Sequence, residues 1–325
     1  MKNLRIIFMG TPEFAVASLG SLLMNGFNVV AVVTAPDKPA GRGRQISKSP
    51  VKEFAEFSSL PILQPSNLKD PAFIHQLQTL KPDLFIVVAF RMLPAEVWKI
   101  PSMGTINLHA SLLPQYRGSA PINHAIINGE TMTGLTTFYI DDKIDTGNIL
   151  LREEVPIFSF ENAGDLHDRM MVQGARMIIR TLSEIVNDNL RPKQQSEFIK
   201  QGDILINAPK ITPEFCTIDW KKDALSIHNF IRGLAPYPGA HSWFYKGSKP
   251  VMFKIFESNT DYSLSVDKPG KIFSDGKNFL RISCSQGYIN ICSLQVEGKK
   301  KMSTVEFLRG FRLEEYSKSV IQQVS

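Results

Sequence analysis

The sequence predicts an α/β protein: a mostly parallel sheet covered by helices on both faces, joined to a smaller antiparallel β-barrel domain. Through the first half of the chain, buried-strand runs alternate with helical patterns, as the connections of a parallel sheet require. After a polar stretch at 190–206, the period changes to short strands separated by Gly-containing turns. The 325 residues, 43% of them hydrophobic, suffice for two cores rather than one.

In order, "LRIIFM" reads as a first strand, followed by a helix from Pro12 and a second strand, "NVVAVVT". Helices near 50–57 and 70–80 precede the strands "PDLFIVVAF" and "TINLHAS". The runs "TGLTTFYID" and "GNILLREEVPI", on either side of an Asp-Thr-Gly turn, extend the same sheet. Residues 161–188 form one long helix, apolar at Leu166, Met170, Ile178, Leu182 and Ile185 with the spacing of a packed face. A short helical segment near 223–234 leads into the strands of the second domain. The expected organisation is a catalytic domain over 1–189, a linker over 190–206 and a barrel over 207–325.

Several classes are excluded at this stage. The N-terminus has no small-residue cleavage site, and no apolar run reaches the roughly 18 residues of a membrane span. The three cysteines, Cys216, Cys284 and Cys292, have no CxxC spacing and no adjacent His, so a cytoplasmic protein without disulfide framework or metal site is expected. Nothing suggests a coiled coil or a long exposed apolar face, which predicts a monomer. The net charge of +6 lies wholly in the second part: 20 basic and 20 acidic residues up to residue 205, then 17 against 11. Such an excess is either a solvated surface or the footprint of a polyanion partner.

"FMGTPEF" occupies the place of a dinucleotide-binding loop, but only Gly10 of the three glycines is present, so a nicotinamide cofactor is rejected. Chemistry is expected instead at "INLHASLLPQYRGSAP". Residues two apart in a strand face the same way, so Asn107 and His109 project together, with Asp145 following the next long strand. Taken singly, each is an ordinary strand-end or turn residue. Together, an oxyanion-binding amide, an imidazole and a carboxylate suit acyl transfer from an activated carbonyl to an amine, the proton moving through His109 or a water held by Asp145. Ser111 lacks a nucleophile elbow, and no metal ligands are grouped.

These motifs resemble the folate-dependent formyltransferases, whose shared Asn, His and Asp match Asn107, His109 and Asp145. The resemblance implies a Rossmann-like catalytic domain and 10-formyltetrahydrofolate as formyl donor, released as tetrahydrofolate. The folate site is expected at Ser111, Leu112, Leu113 and Pro114 and at Phe90, Arg91, Met92 and Leu93. "FMGTPEFA", "APDKPAGRGRQISKSPVK", "APKIT", "IDW", "IRGLAPYPGA" and "GKKKMS" are similar to the branch of that family acting on initiator methionyl-tRNA. Its barrel is of the oligonucleotide-binding type. Within this resemblance Lys38, Arg42 and Arg44 of the basic loop, Lys210, and Lys299, Lys300 and Lys301 are expected to bind tRNA phosphates, with Arg42 foremost. The loop's Pro and Gly predict a segment outside regular structure that orders on binding. Two departures stand out: "AFRMLP" lacks a glycine common after its aromatic residue and is one residue shorter, and Ala110 replaces a common glycine. The nearest rivals are a small-amine formyltransferase using the same three residues, an RNA-binding module with a decayed catalytic domain, and a hydrolase releasing formate.

Overall fold

The computed structural model describes residues 4–40, 45–263, 267–310 and 315–316. From the N-terminus the elements are β1 (Arg5–Gly10), α1 (Glu13–Met24), β2 (Asn28–Val33), β3 (Lys38–Ala40), β4 (Gln45–Ser47), α2 (Pro50–Phe57) and β5 (Ile62–Leu63). They continue with α3 (Pro71–Thr79), β6 (Leu84–Val88), α4 (Ala95–Trp98), β7 (Thr105–His109), β8 (Arg117–Gly118), α5 (Pro121–Ile127), β9 (Met132–Tyr139), β10 (Ile149–Pro156) and α6 (Ala163–Val186). The remainder is β11 (Asn207–Ala208), α7 (Ala224–Leu234), β12 (Ala240–Lys246), β13 (Lys249–Asp261), β14 (Ile272–Ser274), β15 (Leu280–Ser283), β16 (Tyr288–Val296), β17 (Met302–Ser303) and α8 (Thr304–Gly310). The chain divides into two compact units: Met1–Pro121 with Thr133–Pro156 and His167–Ala208, and Ile122–Met132 with Ile157–Leu166 and Pro209–Ser325.

The first unit is built on a seven-stranded sheet of order β10-β9-β7-β6-β1-β2-β5. The pairs from β7 through β6 and β1 to β2 and β5 are parallel, whereas β9 runs antiparallel to β7. Ile6, Ile7, Phe8 and Met9 are fully buried, as are Phe85 and Ile86, which is why these strands read as continuous apolar runs rather than alternating ones. Helix starts are written in the sequence: Pro50 and Pro71 open α2 and α3, and Ser49 Oγ and Asp70 Oδ1 accept from the N–H groups of Lys52 (3.1 Å) and Ala72 (2.9 Å). Gly10 is required by packing: a Cβ there would lie 2.6 Å from the Cβ of Ala15 in α1. Gly174 likewise lets α6 approach β7, since its Cβ would lie 2.7 Å from Leu108 Cδ2.

One expectation is corrected. The basic loop was expected to lack regular structure, but β3 and β4 form a small antiparallel ladder pairing Lys38 with Ser47 and Ala40 with Gln45. A two-stranded ribbon leaves one side of each strand unpaired, so Pro39 is tolerated there without an N–H. Two of the loop's cations are used at its base, where Lys52 pairs with Asp37 and Lys48 with Glu56 at 2.7 Å. The Lys52 and Gln64 hydrogen bonds hold the Asp37 carboxyl below the usual range.

The second unit is an antiparallel half-barrel of order β12-β13-β16-β15-β14, with β17 on β16. Register shifts near Glu257 bend the long β13–β16 pair, as bulges do at barrel corners. Its core contains Trp220, Ile227, Ile231, Phe244, Phe253 and Phe307, and Ile127 of α5 packs against it. Trp220 Nε1–H donates to Ser242 Oγ at 3.0 Å, so the fully buried indole leaves no unpaired donor.

Candidate active site

The parallel register places Gly10 beside Val88 and Val88 beside Leu108, so β1, β6 and β7 end together. The segments 89–94 and 110–116 both leave the sheet at this carboxyl edge, where open α/β sheets bind their ligands. His109 is the last residue of β7 and is 6% exposed, while Asn107, two residues earlier on the same face, is half-buried. The Asn107 carboxamide forms no hydrogen bond among the described residues.

His109 Nε2 lies 2.9 Å from the Tyr116 carbonyl oxygen. A carbonyl only accepts, so this nitrogen carries the hydrogen, and Nδ1 holds the lone pair of the neutral ring. Nδ1 is 3.7 Å from Asp145 Oδ2, within ion-pair range but too long for a hydrogen bond. Asp145 Oδ2 itself accepts from the Gly118 N–H at 2.9 Å. Both supporting residues adopt left-handed backbone, Tyr116 at φ 60° and Asp145 at φ 54°. The turn carrying Asp145 is pinned by Asp141, whose Oδ1 accepts from the Thr146 hydroxyl (2.7 Å) and the Lys143 N–H (3.1 Å). Its Gly147 is obligatory, because a Cβ there would lie 1.7 Å from the Tyr139 carbonyl oxygen.

Asn107, His109 and Asp145 are thus brought together. Of the two segments expected to bind folate, 111–114 follows His109 directly and is largely buried. Ser111 and Leu113 are fully buried, Pro114 is buried and Leu112 half-buried. Thr136 on β9 clamps this turn by donating to the Ser111 carbonyl (2.7 Å) and accepting from the Leu113 N–H (3.2 Å). In 90–93, Met92 is 72% exposed, Phe90 is half-buried and Leu93 belongs to the sheet core. Arg91 is tied to the segment that follows β5, donating to the Ser66 and Pro65 carbonyls with its guanidinium 5.6 Å over the Phe90 ring. The segment starts at Ala89, held left-handed at φ 48°.

Among the basic candidates, Lys38 is exposed on β3 of the first unit, and Lys210, Lys299 and Lys300 are exposed in the second. Lys301 is paired with Glu257 at 2.9 Å and lies 5.2 Å over the Phe256 ring. Arg42 and Arg44 lie outside the described residues. Among the described residues no group of His, Cys, Asp or Glu is placed to hold a metal ion. The supporting Tyr116 carbonyl and Gly118 N–H were missed from the sequence because backbone groups leave no trace in residue type; only the turn-forming "QYRG" marked them.

Comparison with known proteins matches residues 3–182 to the formyl transferase family and residues 210–312 to the formyl transferase C-terminal domain. The methionyl-tRNA formyltransferase of Bacteroides fragilis is 50% identical over 315 residues, 97% of each chain. That of Flavobacterium johnsoniae is 49% identical over 318 residues, covering 98% of this chain and 99% of its own. Among solved structures, an N-formyltransferase from Helicobacter canadensis in complex with folinic acid and dTDP-3-aminofucose aligns with TM-score 0.64 at 22% identity, covering 92% of this chain and all of its own. HypX from Aquifex aeolicus, in complex with tetrahydrofolic acid, aligns with TM-score 0.61 at 18% identity over 94% of this chain and 47% of its own. The structural neighbours share the fold, and the two family matches together with the near-full-length relatives settle the rest: this chain belongs to the formyl transferase family.

Proposed function

We propose that the protein transfers the formyl group of 10-formyltetrahydrofolate to the α-amine of methionyl initiator tRNA, supplying formylmethionyl-tRNA for translation initiation in the cytoplasm. The observation that carries this is the near-full-length likeness, about half the aligned residues identical, to relatives named methionyl-tRNA formyltransferase. The folate-bound neighbours support a folate donor. The donor fits the site's chemistry: a half-buried carboxamide with no competing hydrogen bond among the described residues and an imidazole whose Nδ1 faces only Asp145 stand at the sheet edge where the 90–92 segment, exposed at Arg91 and Met92, emerges.

10-Formyltetrahydrofolate supplies an N-formyl carbonyl; the bond to its nitrogen breaks as a new bond forms to the methionyl amine, and tetrahydrofolate leaves. Asn107 donates its N–H to the oxygen on which negative charge develops, an interaction strongest in the transition state. His109, anchored through Nε2 to Tyr116, receives the amine proton at Nδ1 and passes it to the departing tetrahydrofolate nitrogen, which restores the neutral ring. Asp145 faces Nδ1 and stabilises the imidazolium formed in between. Phe90 to Leu93 and Ser111 to Pro114 frame the folate, the buried Ser111, Leu113 and Leu93 shaping the backbone around it rather than touching it with their side chains. Lys38, Arg42, Arg44, Lys210 and Lys299 to Lys301 hold tRNA phosphates, and the enzyme acts as a monomer.

The test is an acceptor panel with 10-formyltetrahydrofolate as donor: charged initiator Met-tRNA, charged elongator Met-tRNA, a nucleotide-linked amino sugar, glycinamide ribonucleotide, and water. Strong preference for the initiator tRNA is expected. Preferential formylation of a small amine, or formate release independent of any amine, would overturn the assignment.

A further inference from the structure

By composition, 190–206 reads as a polar linker, yet it is stitched to the site on both flanks. Lys193 exchanges backbone hydrogen bonds with Ile149 at the start of β10, at 2.9 and 2.8 Å. At the other end the Tyr116 N–H donates to the Ile206 carbonyl at 2.6 Å. The Gln115 carboxamide donates to the Ile204 carbonyl (3.0 Å) and accepts from the Ile206 N–H (2.9 Å), and β11 pairs with β8. Residues 115–118 are the same ones whose Tyr116 carbonyl anchors His109 and whose Gly118 N–H holds Asp145.

Between these anchors lies Gln195, 4% exposed. Its Nε2 donates to the carbonyl oxygens of Asp145 (2.8 Å) and Gly147 (3.0 Å). Its Oε1 accepts from Arg117 Nε (3.1 Å) and Nη2 (2.7 Å). Carbonyls only accept and a guanidinium only donates, so the amide has a single orientation in which both hydrogens and both lone pairs are used. A Gln with every bond satisfied, joining two loops, is a rigid brace. One loop carries Asp145 in a backbone conformation that persists only where its surroundings hold it. The other carries the acceptor that fixes the His109 tautomer.

We infer that Gln195 is a positioning residue for formyl transfer: by tying the Asp145–Gly147 turn to Arg117, it holds the Asp145 carboxylate at its station opposite His109 Nδ1. The inference rests on the reading of Asp145 and His109 as the reacting pair. The polar segment is accordingly part of the active-site scaffold.

Gln195→Glu keeps the volume and the Arg117 contacts but sets an oxygen against two carbonyls; Gln195→Met removes all four bonds. In both, kcat is expected to fall about 10- to 100-fold, the scale of misplacing a catalytic group. KM for donor and tRNA should stay within about threefold, and the pH profile of kcat should be displaced, which a merely structural role would not produce. Folding is checked by circular dichroism and by tetrahydrofolate binding; if neither variant folds, Arg117→Met, which leaves Gln195 in place but strips its oxygen of partners, carries the same test. Wild-type kcat per folded enzyme, in a Gln195 variant or in Arg117→Met, overturns the inference. Asp145→Asn measured alongside separates the two levels: turnover near wild type there removes the underlying assignment, whereas an inactive Asp145→Asn beside a fully active Gln195→Glu removes only the role of Gln195.

Discussion

The two units differ in where their polar groups are spent. Up to residue 205 the chain carries 20 basic and 20 acidic residues, and the first unit directs a few polar side chains inward at one sheet edge: His109, Ser111 and Gln195 are all at most 6% exposed. From 206 onward, 17 basic residues stand against 11 acidic ones, and the second unit keeps Lys210, Lys299 and Lys300 at its surface around an aromatic core. Chemistry needs few groups fixed to within a fraction of an ångström, whereas holding a polyanion needs many charges with loose geometry. In the proposed reading the contrast is between precision at the first unit's sheet edge and electrostatics at the second unit's surface, which the basic residues of the 38–44 segment share, and each change below should affect one side of it.

The largest effect is expected at the proposed reacting groups of the first unit. Asn107→Ala and His109→Ala should each lower kcat by about 10²–10³, the scale for losing an oxyanion donor, leaving tRNA affinity and the unfolding transition unchanged. Steady-state kinetics with calorimetry checks this. Gly147→Ala is next: the added Cβ meets the Tyr139 carbonyl at 1.7 Å, so the Asp145 turn must shift, at a cost of about 1–3 kcal/mol, with loss of turnover. A smaller, opposite signature is expected from Arg42→Ala and from K299A/K300A/K301A. Both should weaken tRNA use without touching folate binding, and the triple variant should flatten the salt dependence by about 0.7–0.9 per lost phosphate contact.

The smallest effect is on stability with pH and belongs to the second unit. Burial holds the imidazoles of His124, His228 and His241 below their ordinary value of 6.5, with Arg232 adding at His228 and Lys254 at His241. The unfolded chain then binds more protons than the folded one at acidic pH, so stability is intact above 6.5 and is lost progressively as pH falls below it. Thermal unfolding at pH 7.5 and 5.5 should show the second unit's transition moving down; an unmoved transition would mean these rings are protonated without penalty.

Much of this was legible in the sequence because it depends on local rules. Pro50 and Pro71 preset helix starts, continuous apolar runs betray strands buried on both faces, and the i, i+2 spacing of Asn107 and His109 puts both on one face of β7. The linker's contribution was not legible: Gln195 looks like its neighbour Gln194, and only long-range contact distinguishes the buried brace from the exposed cap residue of a short helical turn. The β3–β4 ladder escaped because Pro39 and Gly41 argue locally against strands, while the pairing of Lys38 with Ser47 and Ala40 with Gln45 is not a local property. That Ile127 of α5 packs on the second unit's core is equally invisible to periodicity, since its own segment sits among first-unit strands in sequence.

The most direct test of the division between the units is single-turnover formyl transfer to initiator Met-tRNA as a function of tRNA concentration, at low and at physiological salt, for the wild type and for K299A/K300A/K301A. The expected result is one plateau rate for all four curves, a half-saturating concentration that rises steeply with salt in the wild type, and a shallower rise from a weaker start in the variant. A plateau that falls with salt, or falls in the lysine variant, would show that the basic surface takes part in the chemical step and would contradict the separation of precision from electrostatics.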